Sequence, residues 1–89
     1  EMKSAATAKD PSSGRWMSID TNKPAIQFYT SNLLEDTTGR NGVIFKKHGA
    51  MCLETGTYIN AIHIPDFPDS VLKPGDVYEH TTRHKFWTE

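Results

Sequence analysis

Two side chains in this sequence have the type and setting to act on a small polar molecule. Glu54 ends the run Gly49-Ala50-Met51-Cys52-Leu53-Glu54, which is otherwise uncharged and largely apolar. If Met51 to Thr55 is a strand, side chains alternate, so Met51, Leu53 and Thr55 face one way while Cys52 and Glu54 face the other. Two readings of Glu54 follow. On the wet face of an antiparallel sheet it is a solvated carboxylate. On the floor of a concave sheet it is partly desolvated, which raises its pKa towards the range of a general base. Periodicity does not choose between them.

The second is Gln27, in Ala25-Ile26-Gln27-Phe28-Tyr29-Thr30, a stretch rich in aromatic and β-branched residues and the clearest strand in the chain. Alternation puts Ala25, Gln27 and Tyr29 on one face, and Ile26, Phe28 and Thr30 on the other. An amide both donates and accepts, as sugar hydroxyls require of a fixed partner. The same amide could equally bond a neighbouring strand or water.

Metal chemistry is not expected. His48-x-x-x-Cys52 and His80-x-x-x-His84 can be written as a four-ligand zinc site, but that spacing converges on one face only in a helix. Both segments read as strands, where residues four apart are separated by about 13 Å. His63 and His84 read as isolated histidines bonded to backbone or water. Gly-rich phosphate loops, a serine nucleophile elbow and a Cys/His pair are absent.

The elements that must carry Glu54 and Gln27 read as β. Ser4 to Lys9 and Arg15 to Asp20 form a hairpin about Asp10-Pro11-Ser12-Ser13-Gly14, where Pro11 presets its φ, Asp10 bonds the following backbone and Gly14 accepts positive φ. In the return arm, Trp16 and Ser18 oppose Met17 and Ile19. Ser31 to Gly42 reads as a polar surface loop, and Val43-Ile44-Phe45 as a short strand. Thr57 to Asp69, with Pro65 and Pro68, is extended or irregular. Lys73-Pro74-Gly75-Asp76 is a second turn. It feeds a long terminal strand from Val77 to Trp87, with Tyr78, His80, Thr82, His84 and Phe86 on one face. Nothing keeps a helical period, and no repeat is present.

Composition narrows the function classes. The 89 residues carry ten basic and eleven acidic side chains, interspersed, for a net charge of −1. That gives no footprint for nucleic acid or an anionic membrane. Apolar runs of a handful of residues are far short of a membrane span. One cysteine rules out an internal disulfide framework, and no signal-peptide layout is present, so the expected compartment is the cytosol. With 36% hydrophobic residues, a chain of this length is marginal as an independent domain.

A resemblance joins these pieces. Pro24 to Asn32 (Pro-Ala-Ile-Gln-Phe-Tyr-Thr-Ser-Asn), Lys47-His48, Cys52-Leu53-Glu54-Thr55, Phe67-Pro68, Leu72 to Tyr78 and Thr81 to Phe86 resemble, in order and spacing, the last quarter of the aldose 1-epimerase (galactose mutarotase) family. The resemblance runs from about Ala5 to Phe86. It implies that residues 1–89 are the C-terminal segment of a large antiparallel β-sandwich, the mutarotase-like supersandwich, and not an autonomous domain. Opening on Glu1-Met2 fits an internal start, a processed chain or a remnant of cloning. It implies interconversion of the α and β anomers of aldohexoses such as galactose and glucose, without metal, nucleotide or other cofactor. The partners expected are a monosaccharide and the remainder of the same sandwich. In that family the Glu of Cys-Leu-Glu-Thr takes the proton from the C1 hydroxyl while a histidine protonates the ring oxygen, and the Gln of Gln-Phe-Tyr-Thr lies beside the sugar. These roles carry over to Glu54 and Gln27. The family's acid and substrate-binding histidines come from segments before the part represented here, and neither His48 nor His80 is assigned to them.

The chain also departs from the family pattern. Gly56 stands in place of Gln, Ile59-Asn60-Ala61-Ile62-His63 in place of a Pro-Asp-Ala-x-Asn run, and Ser31 in place of Gly; Gly49-Ala50 replaces a small-residue-then-Gly order. Gly56 removes a polar side chain, and the missing proline removes a rigid bend beside the site. A sugar-binding or regulatory relative with a degraded site is therefore the alternative, and a β module for protein contacts the third reading.

Overall fold

The computed structural model describes residues 1–89. Its first hairpin is organised by Asp10. The carboxylate accepts from the Ser12 amide at 3.1 Å, the Ser12 hydroxyl at 2.8 Å and the Ser13 hydroxyl at 2.6 Å. Gly14 closes the turn at φ +72°, and its N–H donates to the Asp10 carbonyl at 2.9 Å. Seven strands follow one another along the chain: β1 (Lys3–Asp10), β2 (Arg15–Thr21), β3 (Ala25–Tyr29), β4 (Thr37–Thr38), β5 (Ile44–Phe45), β6 (Cys52–Gly56) and β7 (Thr82–Thr88). Only two short 3₁₀ turns, Arg40–Gly42 and Ala61–His63, interrupt the β character. The expected all-β, antiparallel class is what the chain adopts.

The strands form three antiparallel sheets. β2 is the centre of the order β1-β2-β7, β3 pairs with β6, and β4 pairs with β5. The β1–β2 ladder runs from Lys3 opposite Thr21 to Asp10 opposite Arg15, with a register shift between Ser4 and Ala6. On the other side of β2, Arg15 faces Thr88 and Thr21 faces Thr82. Being flanked on both edges, β2 holds the most buried side chain, Ile19, at 1% exposure. The turn Lys73 to Asp76 also forms, with the Asp76 N–H donating to the Lys73 carbonyl at 3.0 Å and Gly75 at φ +91°.

The sheets do not close on a core. Only Ile19, Ala61, Thr21 and Ser31 are buried among 89 residues. The radius of gyration is 16.8 Å, against about 12 Å for a compact domain of this length. The accessible surface is 7274 Å², where a compact monomer of this mass exposes about 5,200 Å². Phe28, Val77 and Phe86, at 60%, 82% and 69% exposure, lie on faces that nothing in the chain covers.

Three expectations are corrected. The terminal strand is Thr82–Thr88 and does not reach back to Val77. Its only partner, β2, ends at Thr21, so residues before Thr82 have no ladder to join. They are held instead by Asn22, whose Oδ1 accepts from the Thr81 N–H at 2.9 Å. His80 thus lies outside any strand, as does His48 in the turn before β6. Ser31 to Gly42 is not a plain loop: it contains β4 and a 3₁₀ turn, and Ser31 is 4% exposed. The Ser31 hydroxyl donates to the Ala50 carbonyl at 2.8 Å, tying the end of β3 to the approach to β6. Finally, the Glu54 strand begins at Cys52 and ends at Gly56, one residue later than expected at both ends.

Candidate functional site

The β3–β6 ribbon decides where the two chemically interesting side chains lie. Its register sets Ala25 opposite Gly56, Gln27 opposite Glu54 and Tyr29 opposite Cys52. Directly opposed residues share a face, with Cβ atoms about 4.5–5.5 Å apart. Gln27 and Glu54, separated by 26 intervening positions in the chain, are therefore a cross-strand pair. The other face carries Ile26 with Thr55 and Phe28 with Leu53. The ribbon thus has one face of polar tips and one mainly apolar face, as the alternation of β3 implies.

Gln27 and Glu54 border a cleft of about 460 Å³ whose other walls include Ala25, Tyr58, Ile59 and Phe67. That volume falls within the roughly 300–1,000 Å³ of small-molecule sites. Tyr58 and Phe67 pack in a tilted arrangement, with ring centroids 4.8 Å apart and an interplanar angle of 33°. The irregular segment between them makes this possible. Asn60 adopts φ +60°, the 3₁₀ turn buries Ala61, and the Phe67 N–H donates to the Ile64 carbonyl at 3.0 Å, which folds Phe67 back towards Tyr58. Sequence reasoning did not single out this aromatic wall. Two aromatics flanking a segment broken by Pro65 are the available signal.

Both Gln27 and Glu54 are exposed in this chain. The desolvation expected for a carboxylate on a sheet floor is not supplied by these 89 residues. An amide beside a carboxylate, next to an aromatic wall, suits a polyhydroxylated ligand: the amide donates and accepts, the carboxylate accepts protons, and the rings cover apolar C–H surface.

The histidines are distributed elsewhere. His48 Nε2 shares a 2.7 Å hydrogen bond with Asn32 Oδ1, beyond the Tyr29 end of the ribbon. His80 Nε2 bonds Thr55 Oγ1 at 2.8 Å, on the ribbon face away from Glu54. His84 stacks on Phe86, centroids 6.3 Å apart, and His63 is exposed in its 3₁₀ turn. No three His, Cys, Asp or Glu side chains come together in a group that could hold a metal ion. Cys52 is a free, exposed thiol.

Fold and cleft together define an antiparallel β protein with a carboxylate–amide pair on one sheet face. Comparison with known proteins identifies the class more closely. The family model described as aldose 1-epimerase matches residues 1–85. Galactose mutarotase of Mus musculus is 41% identical over 87 residues, covering 97% of this chain and 25% of that protein. Galactose mutarotase of Sus scrofa is 48% identical over 71 residues, 79% of this chain and 21% of that protein. Aldose 1-epimerase of Escherichia coli (strain K12) is 29% identical over 75 residues, 82% and 22% respectively. The chain belongs to the aldose 1-epimerase family. It spans about a quarter of the length of the curated relatives it matches.

Proposed function

We propose that the complete protein carrying these residues is an aldose 1-epimerase that interconverts the α and β anomers of aldohexoses such as galactose and glucose. The observation that carries this reading is the direct pairing of Gln27 with Glu54 across β3 and β6, beside the Tyr58–Phe67 wall. Glu54 takes the proton from the C1 hydroxyl as the C1–O5 bond breaks and O5 gains a proton, giving the open-chain aldehyde. Rotation about C1–C2 and the reverse proton transfers close the ring on the other face. Neither metal nor nucleotide takes part. Base and acid must approach opposite sides of the sugar ring, each within hydrogen-bond reach. One sheet face offers only one side, so the acid histidine comes from residues outside this chain. Gln27 binds sugar hydroxyls.

Residues 1–89 are, on this reading, the C-terminal segment of a larger β-sandwich. The missing core, the uncovered Phe28 and Phe86, and the quarter-length match to relatives support that placement. The remainder of the sandwich covers the cleft and lowers the polarity around Glu54. We place the protein in the cytosol, since the free, exposed thiol of Cys52 suits a reducing compartment. Recovery from an oxidising compartment on cell fractionation would overturn that assignment.

The test is polarimetry of freshly dissolved α-galactose and α-glucose with the complete protein. Glu54→Gln keeps the side chain's shape, removes the base and slows anomer interconversion by at least about 10²-fold. Undiminished turnover in Glu54→Gln rules out Glu54 as the base. A second reading, a sugar binder without turnover, is favoured by Gly56 and by Ile59, which stands at the cleft wall. It prevails if the wild type binds aldoses but does not accelerate their mutarotation over buffer.

A further inference from the structure

Thr55 and Thr82 belong to different sheets, yet their hydroxyls share a hydrogen bond of 2.7 Å. His80 Nε2 completes a triangle, 2.8 Å from Thr55 Oγ1 and 3.3 Å from Thr82 Oγ1. His80 Nδ1 in turn meets the Tyr78 hydroxyl at 3.2 Å. The protons can run in either direction, from Thr82 through Thr55 and the imidazole to Tyr78 or back, with one donor for each link. Lys23, two residues before β3, lies 4.1 Å from the Tyr78 ring centroid, so the same cluster also touches the entry to Gln27's strand.

We propose that Thr55, His80 and Thr82 form a brace that sets the position of Glu54, with Thr55 and His80 as positioning residues for the ring-opening step. The proposal rests on Glu54 being the base. The ribbon is a two-stranded ladder of five residue pairs with both outer edges unpaired within the chain, a structure of little stability by itself. The bonds of Thr55 to Thr82 and His80 are side-chain links between this ribbon and the three-stranded sheet and its approach. Thr55 is the next residue after Glu54 and projects from the opposite face. Holding its hydroxyl holds the backbone from which the carboxylate extends. Base catalysis tolerates little displacement, since a shift of about 1 Å costs on the order of 10² in rate.

The experiment measures kcat and KM of the complete protein with Thr55→Val, Thr55→Ser and His80→Ala, each alone and combined with Glu54→Gln. Thr55→Val is expected to lower kcat about tenfold with KM changed less than about twofold, and Thr55→Ser to restore it, because only the hydroxyl is needed. The Thr55→Val/His80→Ala double variant should be no slower than the worse single variant, since both cut one unit. In the Glu54→Gln background the Thr55→Val effect should vanish. A kcat loss that persists there, or wild-type kcat in Thr55→Val after correction for the folded fraction, overturns the positioning role. Full turnover in Glu54→Gln alone removes the base reading and this role with it. The brace itself is read independently by ¹⁵N NMR of the His80 imidazole, whose Nε2 resonance must move in Thr55→Val. An unmoved resonance sinks the brace whatever the kinetics.

Discussion

Trp16 and Trp87 face each other across the β2–β7 register, ring centroids 5.6 Å apart and planes 10° from parallel. Lys9 lies 4.7 Å from the Trp16 centroid and Lys85 5.4 Å from that of Trp87, while the Trp16 indole N–H donates to Glu89 at 2.9 Å. This row fastens an edge strand whose only ladder is with β2. Each of Trp16→Ala and Trp87→Ala should destabilise the complete protein by about 1 to 3 kcal/mol, with the double variant losing about 0.5–1.5 kcal/mol less than the sum. Urea denaturation of the four proteins checks this. Simple additivity would show that the stacked rings contribute nothing as a pair.

If, as proposed, Gln27 binds the sugar without transferring protons, its loss separates from that of Glu54. Gln27→Ala should raise KM by an amount equivalent to about 1 to 3 kcal/mol, leaving kcat nearly unchanged, because a sugar hydroxyl loses its partner in ground and transition states alike. Initial rates over a range of aldose concentrations decide it. A fall in kcat at constant KM would place Gln27 in the chemistry instead.

Hydrogen bonds from Ser13 and then Ser12 hold the Asp10 carboxyl below its ordinary value of 3.8. Folding thus favours the charged form. The carboxylate's contribution is complete above the unfolded value and is lost as pH falls through the lower folded one. Wild type and Asp10→Ala should accordingly differ in stability at neutral pH and converge in acid below the folded value. Denaturation midpoints at the two pH values measure the gap. A gap that is equal at both would mean that the charge of the Asp10 carboxylate contributes nothing to the turn.

Expressed alone, the 89 residues should be unfolded or aggregated. The apolar face of Phe28 and Leu53 and the free edges of β1, β7 and the β3–β6 ribbon would all be open to water or to other copies. Circular dichroism melting and size-exclusion chromatography test it. A soluble monomer with a cooperative transition would contradict the proposed dependence on the rest of the sandwich.

Alternation made the faces of the candidate site legible, while the roles of its residues came from the family resemblance. The polar tip of Gln27 and the carboxylate of Glu54 each had an assignable face on its own strand, and the register proves those faces to be one. The Asp10–Gly14 turn was equally clear, since each residue there acts locally. What stayed hidden depended on partners distant in the chain. Val77 to Thr81 has strand composition but no strand beside it once β2 stops at Thr21. Ser31 is small and polar, so no pattern announces that it is buried under an Ala50 carbonyl. Nor could spacing show that Thr55, apparently a routine strand residue, reaches His80 and Thr82.

The pairing of Thr21 with Thr82 also has a timetable. The β1–β2 hairpin can form within microseconds of its synthesis. At about 5–20 residues per second, the roughly 60 residues between those two threonines take some 3 to 12 s to be translated. Throughout that interval one side of β2, including the backbone beside Ile19, is an open template that any extended segment can occupy. Whatever occupies that side of β2 in the meantime has to leave it before Thr82 to Thr88 can pair there.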